Sequence, residues 1–373
     1  MSRIVIIAAN SAWNIANFRA GLIRGLKSAG YEPVAVAPPH SADDARLAEL
    51  GIEKIDLNID RSGMNPFADL RLLRDYRRII KRVQPLAFLG FTIKPNIYGS
   101  MAASALGVPA LPNVSGLGTA FIRGGPLQFI VTRLYRRAFA KVPLVFFQNP
   151  DDRQLFVTRR IVELERTRVL PGSGVDLERF APAPLADGPV TFLLISRLLR
   201  DKGIFEYAEA AHSLRALLPE ARFQLLGPID QGNRTGIGRG DLDRWVADGV
   251  IEYLGSADDV RSHIAAASVI VLPSYREGLP RSLLEAAAMG RPLIATHVAG
   301  CREVVEDGVN GYLCNVRDPL SLAAAMNRFA KLAPEARAEM GAASRRKVQQ
   351  GFSEEIVVRT YVNALDRLAG AQR

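Results

Sequence analysis

Two glutamates, Glu277 and Glu285, flank the start of a predicted helix and could hold the two ends of one extended ligand. At about 1.5 Å per residue they stand roughly 12 Å apart, which is too far for them to share one proton transfer. Between them, the backbone N–H groups of residues Gly278–Ser282 at the helix start favour an anion such as a diphosphate. The spacing therefore predicts an elongated anionic ligand with a carboxylate at each end.

Two short strands enclose this helix in the sequence. The apolar β-branched run Val269–Leu272 stops at Pro273 and predicts the first of them. Ser282–Met289 predicts the helix, with Gly290 at its end. Pro292–Ala295 predicts the strand that follows. Strand, helix and strand in this order predict part of a parallel sheet.

The order of motifs in this stretch resembles that of a known family. E-G-L-P-R-S-L-L-E is followed by G-R-P-L-I-A-T and then by G-x-x-E-V-V-E-D-G-x-N-G. This order is similar to the nucleotide-sugar motif of the retaining family-4 glycosyltransferases, which have the GT-B fold. The resemblance implies that Glu277 faces the donor sugar and Glu285 holds the ribose hydroxyls. It places the rest of the donor at the helix start, on Gly278, Leu279, Pro280 and Ser282.

Length and composition predict a protein of two globular domains. The chain has 373 residues, of which 48% are hydrophobic and 23% are charged. Two cysteines are too few for a disulfide framework and indicate a reducing compartment. The apolar run after Met1 has neither a charged leader nor a cleavage site and predicts a first strand. We therefore expect a cytoplasmic protein without a membrane-spanning segment.

The first half alternates short β-like runs with helical patterns, which predicts a parallel sheet covered on both faces. The resemblance implies the whole α/β architecture, in which two Rossmann-like domains face each other across a cleft and the C-terminal helix crosses back to the first. We place the domains at residues 1–182 and 183–353, with the returning helix at 354–370. A linker is predicted at Ala181–Pro189, which holds three prolines in the run A-P-A-P-L-A-D-G-P.

Three loops of the first half carry polar residues where strands are predicted to end. The loop after the first strand has no glycine between Asn10 and Arg19, which argues against a dinucleotide-binding G-x-G-x-x-G. The other loops are Phe91–Gly99 and Asn113–Phe121. In related enzymes a histidine often touches the donor sugar in this last loop, but this chain has none there. The candidates for acceptor or sugar contact are Asn14, Asn17, Lys94, Asn113, Ser115 and Gly116.

The second half restarts with a strand at Val190–Ile195 and a charged loop, S-R-L-L-R-D-K-G. This loop resembles the family's G/S-R-x-x-x-x-K-G element, which implies that Arg197 and Lys202 hold the donor diphosphate. Two cations suit this position because the leaving nucleoside diphosphate gains charge as the glycosidic bond breaks. The alternative is an ordinary solvated turn. The G-V-D-x-x-x-F element before the second half adds Gly174 to the donor site by resemblance.

A metal site is not expected. Asp241-Leu242-Asp243 matches a metal-binding D-x-D, but it follows no apolar strand and opens a helical pattern in which acidic residues suit the positive end. We therefore expect no cofactor and no metal, with a UDP-sugar as donor substrate. The resemblance also implies transfer of a hexose or N-acetylhexosamine in capsule, exopolysaccharide or lipopolysaccharide O-antigen synthesis, with catalysis by Glu277, Arg197 and Lys202.

Three other functions are open at this point. A nucleotide-sugar epimerase can share the two-domain architecture, but it would bring acidic and histidine residues to the first domain that are not found here. A phosphorylase of this fold would need a pyridoxal-phosphate lysine and a much longer chain. A noncatalytic descendant would be expected to lose Arg197, Lys202 or Glu277, and all three are present.

The net charge of +10 belongs to the first half alone. Residues 1–182 carry 25 Lys and Arg against 15 Asp and Glu, whereas residues 183–373 carry 23 of each. The predicted helices Phe67–Arg82 and Leu127–Lys141 hold much of this excess beside apolar residues. They could be ordinary covering helices, and no nucleic-acid-binding motif is recognised. We expect them to bind an anionic leaflet that carries a polyprenyl-diphosphate-linked glycan acceptor.

Overall fold

The computed structural model describes residues 2–60, 65–117, 125–230 and 235–371. The chain divides into two compact α/β units. The first unit comprises Met1–Ser173 together with Glu354–Arg373, and the second comprises Gly174–Ser353. The second unit is thus continuous in sequence, whereas the first is completed by the last helix of the chain.

The first unit is built on parallel strands in the order β3-β2-β1-β4, followed by a smaller sheet in the order β5-β6-β7. Hydrogen bonds from Phe88 N to Pro109 O and from Leu111 N to Phe88 O join the segment before β5 to β4. The strands are β1 (Ile4–Ala8), β2 (Glu32–Ala37), β3 (Glu53–Asp56), β4 (Ala87–Gly90), β5 (Asn113–Val114), β6 (Val145–Phe147) and β7 (Thr167–Val169).

Eight α-helices cover the sheets of the first unit in its described residues. They are α1 (Ala12–Phe18), α2 (Ala20–Ser28), α3 (Ser41–Glu49), α4 (Pro66–Val83), α5 (Ser100–Ala105), α6 (Gly125–Phe139), α7 (Pro150–Thr158) and, from the end of the chain, α15 (Glu354–Ala371). A π-helical turn at Pro95–Gly99 leads into α5. Helices α4, α5 and α6 share one apolar core, and α15 packs with α2 in another.

The second unit holds a six-stranded parallel sheet in the order β10-β9-β8-β11-β12-β13. Its strands are β8 (Thr191–Ile195), β9 (Arg222–Leu226), β10 (Glu252–Tyr253), β11 (Val269–Leu272), β12 (Leu293–Thr296) and β13 (Gly311–Cys314). Its helices are α8 (Ile204–Leu214), α9 (Arg239–Ala247), α10 (Arg261–Ala266), α11 (Arg281–Ala288), α12 (Cys301–Val304), α13 (Pro319–Ala330) and α14 (Pro334–Gly351).

Apolar residues on both faces of the second sheet are buried, as a parallel sheet covered by helices requires. Phe192 and Leu194 of β8 face one core, and Leu193 of the same strand faces the other. The predicted strands and helices of both halves are present within a few residues. The exceptions are the strand predicted at Ala110–Asn113, which is observed at Asn113–Val114, and the elements β7, α1, α3, α5, α7, α10 and α12, which the sequence patterns do not predict.

The boundary between the units lies between Ser173 and Gly174 rather than after residue 182. The intervening residues belong to the second unit because Val175 and Phe180 are buried in its core. The proline-rich stretch Ala181–Pro189 is also not a free linker. The fully buried Arg291 donates from Nη2 to Ala183 O at 2.9 Å and to Pro184 O at 2.7 Å, which anchors the stretch.

Candidate functional site

The strand order of the second unit defines where a ligand would bind. Counted from β8, the order is 3-2-1-4-5-6, so the chain reverses direction across the sheet between β8 and β11. Ligands of open α/β sheets bind outside the carboxyl ends of the strands at such a reversal. The two loops that leave these ends are Ser196–Gly203 after β8 and Pro273–Pro280 after β11. They contain six of the predicted donor-site residues, namely Arg197, Lys202, Glu277, Gly278, Leu279 and Pro280.

Lys202 and Glu277 are in direct contact across this reversal point. Lys202 Nζ donates a hydrogen bond to Glu277 Oε1, with the two side chains 23% and 11% exposed. A backbone hydrogen bond from Tyr275 N to Asp201 O at 2.9 Å holds the two loops together. An ammonium group has three donors, so Lys202 can keep Glu277 and still bind a phosphate oxygen.

Gly300, in the loop after β12, packs closely against the backbone of Glu277 and Gly278. It has a φ of +85°, and a Cβ added to it would lie 2.6 Å from Gly278 O and 2.9 Å from Glu277 C. Glu277 N also donates to Ala299 O at 3.3 Å. Only glycine combines this positive φ with so close a backbone approach. The loop after β12 therefore sets the position of the Glu277 carboxylate.

Glu285 lies one helical turn beyond Arg281 on α11, and the two form an ion pair. Arg281 Nε donates to Glu285 Oε1 at 2.7 Å, with the side chains 20% and 14% exposed. Burial raises the pKa of the Glu285 carboxyl, and the opposing charges of Arg281 and Arg179 act to lower it, while Asp259 adds to the increase. Arg281 therefore favours the ionised form, which accepts hydrogen bonds from hydroxyl groups.

We expect Arg281→Gln to move the acid limit of nucleotide binding to higher pH. Glu285 already has a raised pKa, and loss of Arg281 removes the largest influence that lowers it, so protonation begins at a higher pH. The measurement is the Kd for UDP as a function of pH, with Arg281→Lys expected to recover part of the shift. A parallel loss of affinity at every pH, without a shift, would contradict this role.

The start of α11 has no side-chain cap. Pro280 occupies the N-cap position with an extended backbone, and its side chain accepts no hydrogen bond from the first N–H groups. Gly278, Leu279 and Ser282 are partly exposed, whereas Pro280 is buried. Uncapped N–H groups at a helix start favour an anion. Along the chain, the predicted anion-binding N–H groups therefore directly follow Glu277 of one ion pair and extend to Arg281 of the other.

The remaining predicted donor residues are less closely tied to this group. Arg197 is 59% exposed and pairs with Asp230 at 3.4 Å on the loop after β9. Gly174 has a φ of +71° at the first residue of the second unit. The structure brings Lys202 and Glu277 together, but it places Arg197 and Glu285 with partners of their own.

The residues of the first unit that are predicted to contact the acceptor or sugar differ in their exposure to solvent. Asn113 is fully buried and donates from Nδ2 to Tyr361 Oη at 3.0 Å, so it offers no surface to a ligand. This burial argues against the prediction that Asn113 touches a sugar. Ser115 donates to Phe91 O at 3.0 Å, and Gly116 has a φ of +148° with open space beside it. Residues 118–121 of this predicted loop lie outside the described residues.

The other candidates of the first unit already have protein partners. Lys94 pairs with Asp69 at 2.7 Å, and both side chains are largely buried. Asn17 donates to Trp13 O at 3.0 Å and accepts from Arg46 at 2.9 Å. Asn14 donates its backbone N–H to Ser11 Oγ at 3.2 Å, and its side-chain oxygen is buried without a hydrogen bond from any residue that the structure describes.

The aspartates of the D-x-D sequence are engaged by arginines on their own helix, α9. Asp241 pairs with Arg244 at 2.7 Å, and Asp243 pairs with Arg239 at 3.0 Å. Within the ranges that the structure describes, no group of three or more His, Cys, Asp or Glu side chains could hold a metal ion.

Sequence reasoning missed two parts of this site. Arg281 lies four residues before Glu285, and this i,i+4 spacing on a predicted helix would have identified the pair. Tyr275 was also missed. Its hydroxyl donates to Glu206 at 2.6 Å, and burial together with this hydrogen bond raises the pKa of Tyr275 to about 12. No sequence signal predicted that contact, since the two residues are far apart in the chain.

Both halves of the chain match known protein families. Residues 15–172 match a glycosyl transferase 4-like domain, and residues 189–331 match the glycosyl transferases group 1. Among curated proteins, N,N'-diacetylbacillosaminyl-diphospho-undecaprenol alpha-1,3-N-acetylgalactosaminyltransferase of Campylobacter jejuni is 25% identical over 95% of this chain and 96% of its own. UDP-Gal:alpha-D-GlcNAc-diphosphoundecaprenol alpha-1,3-galactosyltransferase of Escherichia coli is 25% identical over 67% of each chain.

Solved structures share the fold at lower identity. A glycosyltransferase from Rickettsia africae has a TM-score of 0.81 at 18% identity and covers 98% of both chains. HepE of Anabaena, solved in complex with UDP and glucose, has a TM-score of 0.80 at 17% identity and covers 98% of this chain and all of its own. At these identities the similarity shows the fold alone.

Proposed function

This chain is a family-4 glycosyltransferase with the GT-B fold, and from that premise we propose that it transfers a hexose or N-acetylhexosamine from a UDP-sugar to a lipid-linked glycan. The acceptor would be a glycan on a polyprenyl diphosphate in the synthesis of a bacterial surface polysaccharide, either a capsule or a lipopolysaccharide. The contact between Lys202 and Glu277 at the reversal point of the second sheet carries this proposal. Relatives matched over most of the chain are transferases, which favours transfer over epimerisation.

The proposed roles follow from the charges at the site. Lys202 and Arg197 bind the diphosphate, and their charge stabilises the nucleoside diphosphate as it leaves. Glu277 faces the sugar, and the Glu285 carboxylate accepts hydrogen bonds from the ribose hydroxyls. The uncapped start of α11 adds N–H groups for a phosphate oxygen. We propose that these groups replace a metal ion in neutralising the diphosphate.

We propose that the reaction retains the configuration at the anomeric carbon. The bond between that carbon and the β-phosphate oxygen breaks, and the acceptor hydroxyl oxygen forms the new bond on the same face. The proton of the acceptor hydroxyl passes to the departing phosphate oxygen. Exclusion of water from the site would favour transfer to the acceptor over hydrolysis.

The test is transfer of a labelled sugar from a panel of UDP-sugars to lipid-linked glycans extracted from bacterial membranes. We expect released UDP to equal transferred sugar, an unchanged anomeric configuration, and full activity with a chelator present. Conversion of the UDP-sugar to its epimer without transfer would favour the alternative function. An inverted product, or activity that requires an added divalent ion, would refute the corresponding part of the mechanism.

We further propose that the first unit binds an anionic membrane surface through helices α4 and α6. On both helices, exposed apolar residues near the start are followed by exposed cations at helical spacing. Phe67 and Leu70 of α4 are 84% and 46% exposed, and Phe129 and Ile130 of α6 are 65% and 54% exposed. Most of the other apolar residues, such as Leu72 and Ile80, are buried in the core, as in ordinary covering helices.

The exposed apolar residues distinguish these two helices from ordinary covering helices. Cations that follow them on the same faces include Arg71, Arg74, Arg77 and Arg133. Each Lys or Arg near an anionic leaflet contributes about 1 kcal/mol, so several together hold a protein reversibly. No helix in the described part of the chain is long and apolar enough to cross a bilayer. We therefore propose a peripheral location on the inner face of the cytoplasmic membrane.

We expect the protein to sediment with vesicles that contain anionic lipid and to be released as salt rises. The double variant Arg133→Gln/Arg137→Gln should weaken this binding several-fold, because it removes two exposed cations of α6. Arg359→Gln/Arg367→Gln removes the same charge from exposed positions on α15 and serves as the control. Equal weakening by both pairs would mean that only net charge matters. Binding to neutral vesicles as tight as to anionic ones would rule out the electrostatic mechanism.

A further inference from the structure

A cationic groove lies between α4 and α5 in the first unit. Four cations of α4 line it together with Ala105 and Leu106 at the end of α5, and its volume is about 440 Å³. The cations are Arg74, Arg77, Arg78 and Lys81. We infer that this α4–α5 groove binds the diphosphate of an isoprenoid diphosphate, the lipid that carries the acceptor glycan. The inference rests on the proposed function and assigns a place to the lipid part of its acceptor.

The spacing of the four cations destabilises α4 modestly, and a bound anion would relieve this repulsion. Residues three and four apart on a helix are neighbours, so Arg74 faces Arg77 and Arg78, and Lys81 faces the same two. Like charges at this spacing destabilise a helix by about 0.2–0.5 kcal/mol for each pair. Four such pairs occur here within about two turns.

The protein itself supplies little compensation. Arg78 pairs with Asp75 at 2.5 Å, whereas Arg74, Arg77 and Lys81 have no ion pair with any residue that the structure describes. The negative end of the helix dipole favours cations only in the last turn, which reaches Lys81 but not Arg74 or Arg77. The helix dipole therefore accounts for a solvated cation at Lys81, but not for Arg74 and Arg77.

A diphosphate matches the groove in charge and in donor geometry. Guanidinium groups bind phosphate oxygens through two parallel N–H bonds, and three of the four cations are arginines. Two phosphates with their several negative charges would be neutralised by four cations. The donor diphosphate has a separate candidate site in the second unit, so the groove is available for another ligand of the same chemistry.

The rest of the surface favours an amphiphile over a soluble anion. The exposed face of α4 extends from the groove back to the N-terminal end of the helix, where Phe67 and Leu70 are exposed. Leu70 and Lys81 are eleven residues apart, which is about 16 Å along a helix. A ligand with a charged head and a hydrocarbon chain could contact the cations at one end of this face and the apolar side chains at the other. Leu106 adds an apolar residue to the groove itself.

The test compares two charge-matched double variants of the full chain. Arg74→Gln/Arg77→Gln removes two cations from the groove, and Arg359→Gln/Arg367→Gln removes two from α15 in the same unit. Glutamine keeps the helix propensity of arginine. The probe is farnesyl diphosphate, a soluble isoprenoid diphosphate, titrated by calorimetry below its micelle concentration. We expect the groove variant to lose about tenfold or more in affinity and the control to stay within about twofold.

Two vesicle experiments distinguish an isoprenoid diphosphate from an ordinary phospholipid as the ligand of the groove. Neutral vesicles doped with undecaprenyl diphosphate should recruit the unmodified protein but not the groove variant. Neutral vesicles doped with phosphatidylglycerol should still recruit the groove variant, only several-fold more weakly than the control, because Arg74 and Arg77 also face the anionic leaflet. If the groove variant lost binding only to phosphatidylglycerol, the groove would be a general lipid-headgroup site and the inference would be wrong. Equal losses by both variants for farnesyl diphosphate would overturn it as well.

The outcome is separable from that of the proposed function. UDP affinity depends on the second unit, so the groove variant should keep it unchanged. A chain that binds farnesyl diphosphate through the groove but transfers no sugar would refute the function and leave the groove assignment standing. A groove variant that transfers sugar to the lipid-linked acceptor with an unchanged KM would refute the groove assignment alone.

Discussion

Replacing Lys202 with methionine should lower kcat by ~100-fold while the protein remains folded. Methionine keeps the length and the apolar stem of lysine but removes the charge that stabilises the leaving diphosphate. The same change leaves the Glu277 carboxylate, only 11% exposed, without its ammonium partner. The measurement is steady-state transfer with saturating acceptor, together with the Kd for UDP. Near-full turnover would show that Lys202 does not bind the diphosphate.

A matched control distinguishes the loss of a positive charge at the donor site from the loss of a Lys–Glu ion pair as such. Lys347 Nζ pairs with Glu306 at 3.1 Å elsewhere in the second unit, and its side chain has an exposure similar to that of Lys202. Lys347→Met therefore removes a comparable Lys–Glu pair and should change kcat by less than about twofold. A double variant of Lys202 and Glu277 should cost less than the sum of the single changes, since the two side chains are in contact.

Gly300→Ala should impair donor binding although residue 300 contributes no side chain to the site. Its new Cβ would lie 2.6 Å from Gly278 O, so the backbone that carries Glu277 must shift. We expect the free energy of unfolding to fall by about 3 kcal/mol, from the left-handed φ and the overlap together. The Kd for UDP-sugar should rise more than about tenfold, because a misplaced carboxylate loses its contacts.

Gly308→Ala is the control for the backbone conformation alone. Gly308 has a φ of +76°, close to that of Gly300, but nothing lies within 4 Å of its added Cβ. It should therefore lose only about 1 kcal/mol of stability and keep the affinity for UDP-sugar. Denaturant unfolding and nucleotide titration on both variants give the comparison. Equal effects on affinity would mean that the close approach of Gly300 to Glu277 has no functional role.

Local patterns predicted the sheets well because each strand is short, apolar and followed by a clear break. Val269–Leu272 is predicted with its observed bounds, and Val190–Ile195 begins one residue before the observed strand β8. The resemblance to the family implied that Lys202 and Glu277 share the donor site, and the strand order explains their contact, since the loops after β8 and β11 meet where that order reverses. Repeated strand–helix alternation determines the parallel arrangement of the sheets.

Contacts between distant segments were not predictable in the same way. Composition predicts a linker at the proline-rich stretch, since it cannot reveal that Arg291, over one hundred residues later, binds the carbonyl groups of that stretch. Asn113 is a predicted ligand contact because it is one of the nearest polar residues in the loop where related enzymes have a histidine. Its burial depends on Tyr361 of the last helix, to which it is hydrogen-bonded.

The return of α15 to the first unit has a consequence for synthesis on the ribosome. Val357, Tyr361 and Leu365 are buried in the same core as strand β1, so that core lacks part of its apolar surface until α15 has been translated. The second unit is contiguous and contains all its strands before then. During translation the second unit to be synthesised can therefore complete its core before the first. Nascent chains released early would expose the apolar face that α15 covers.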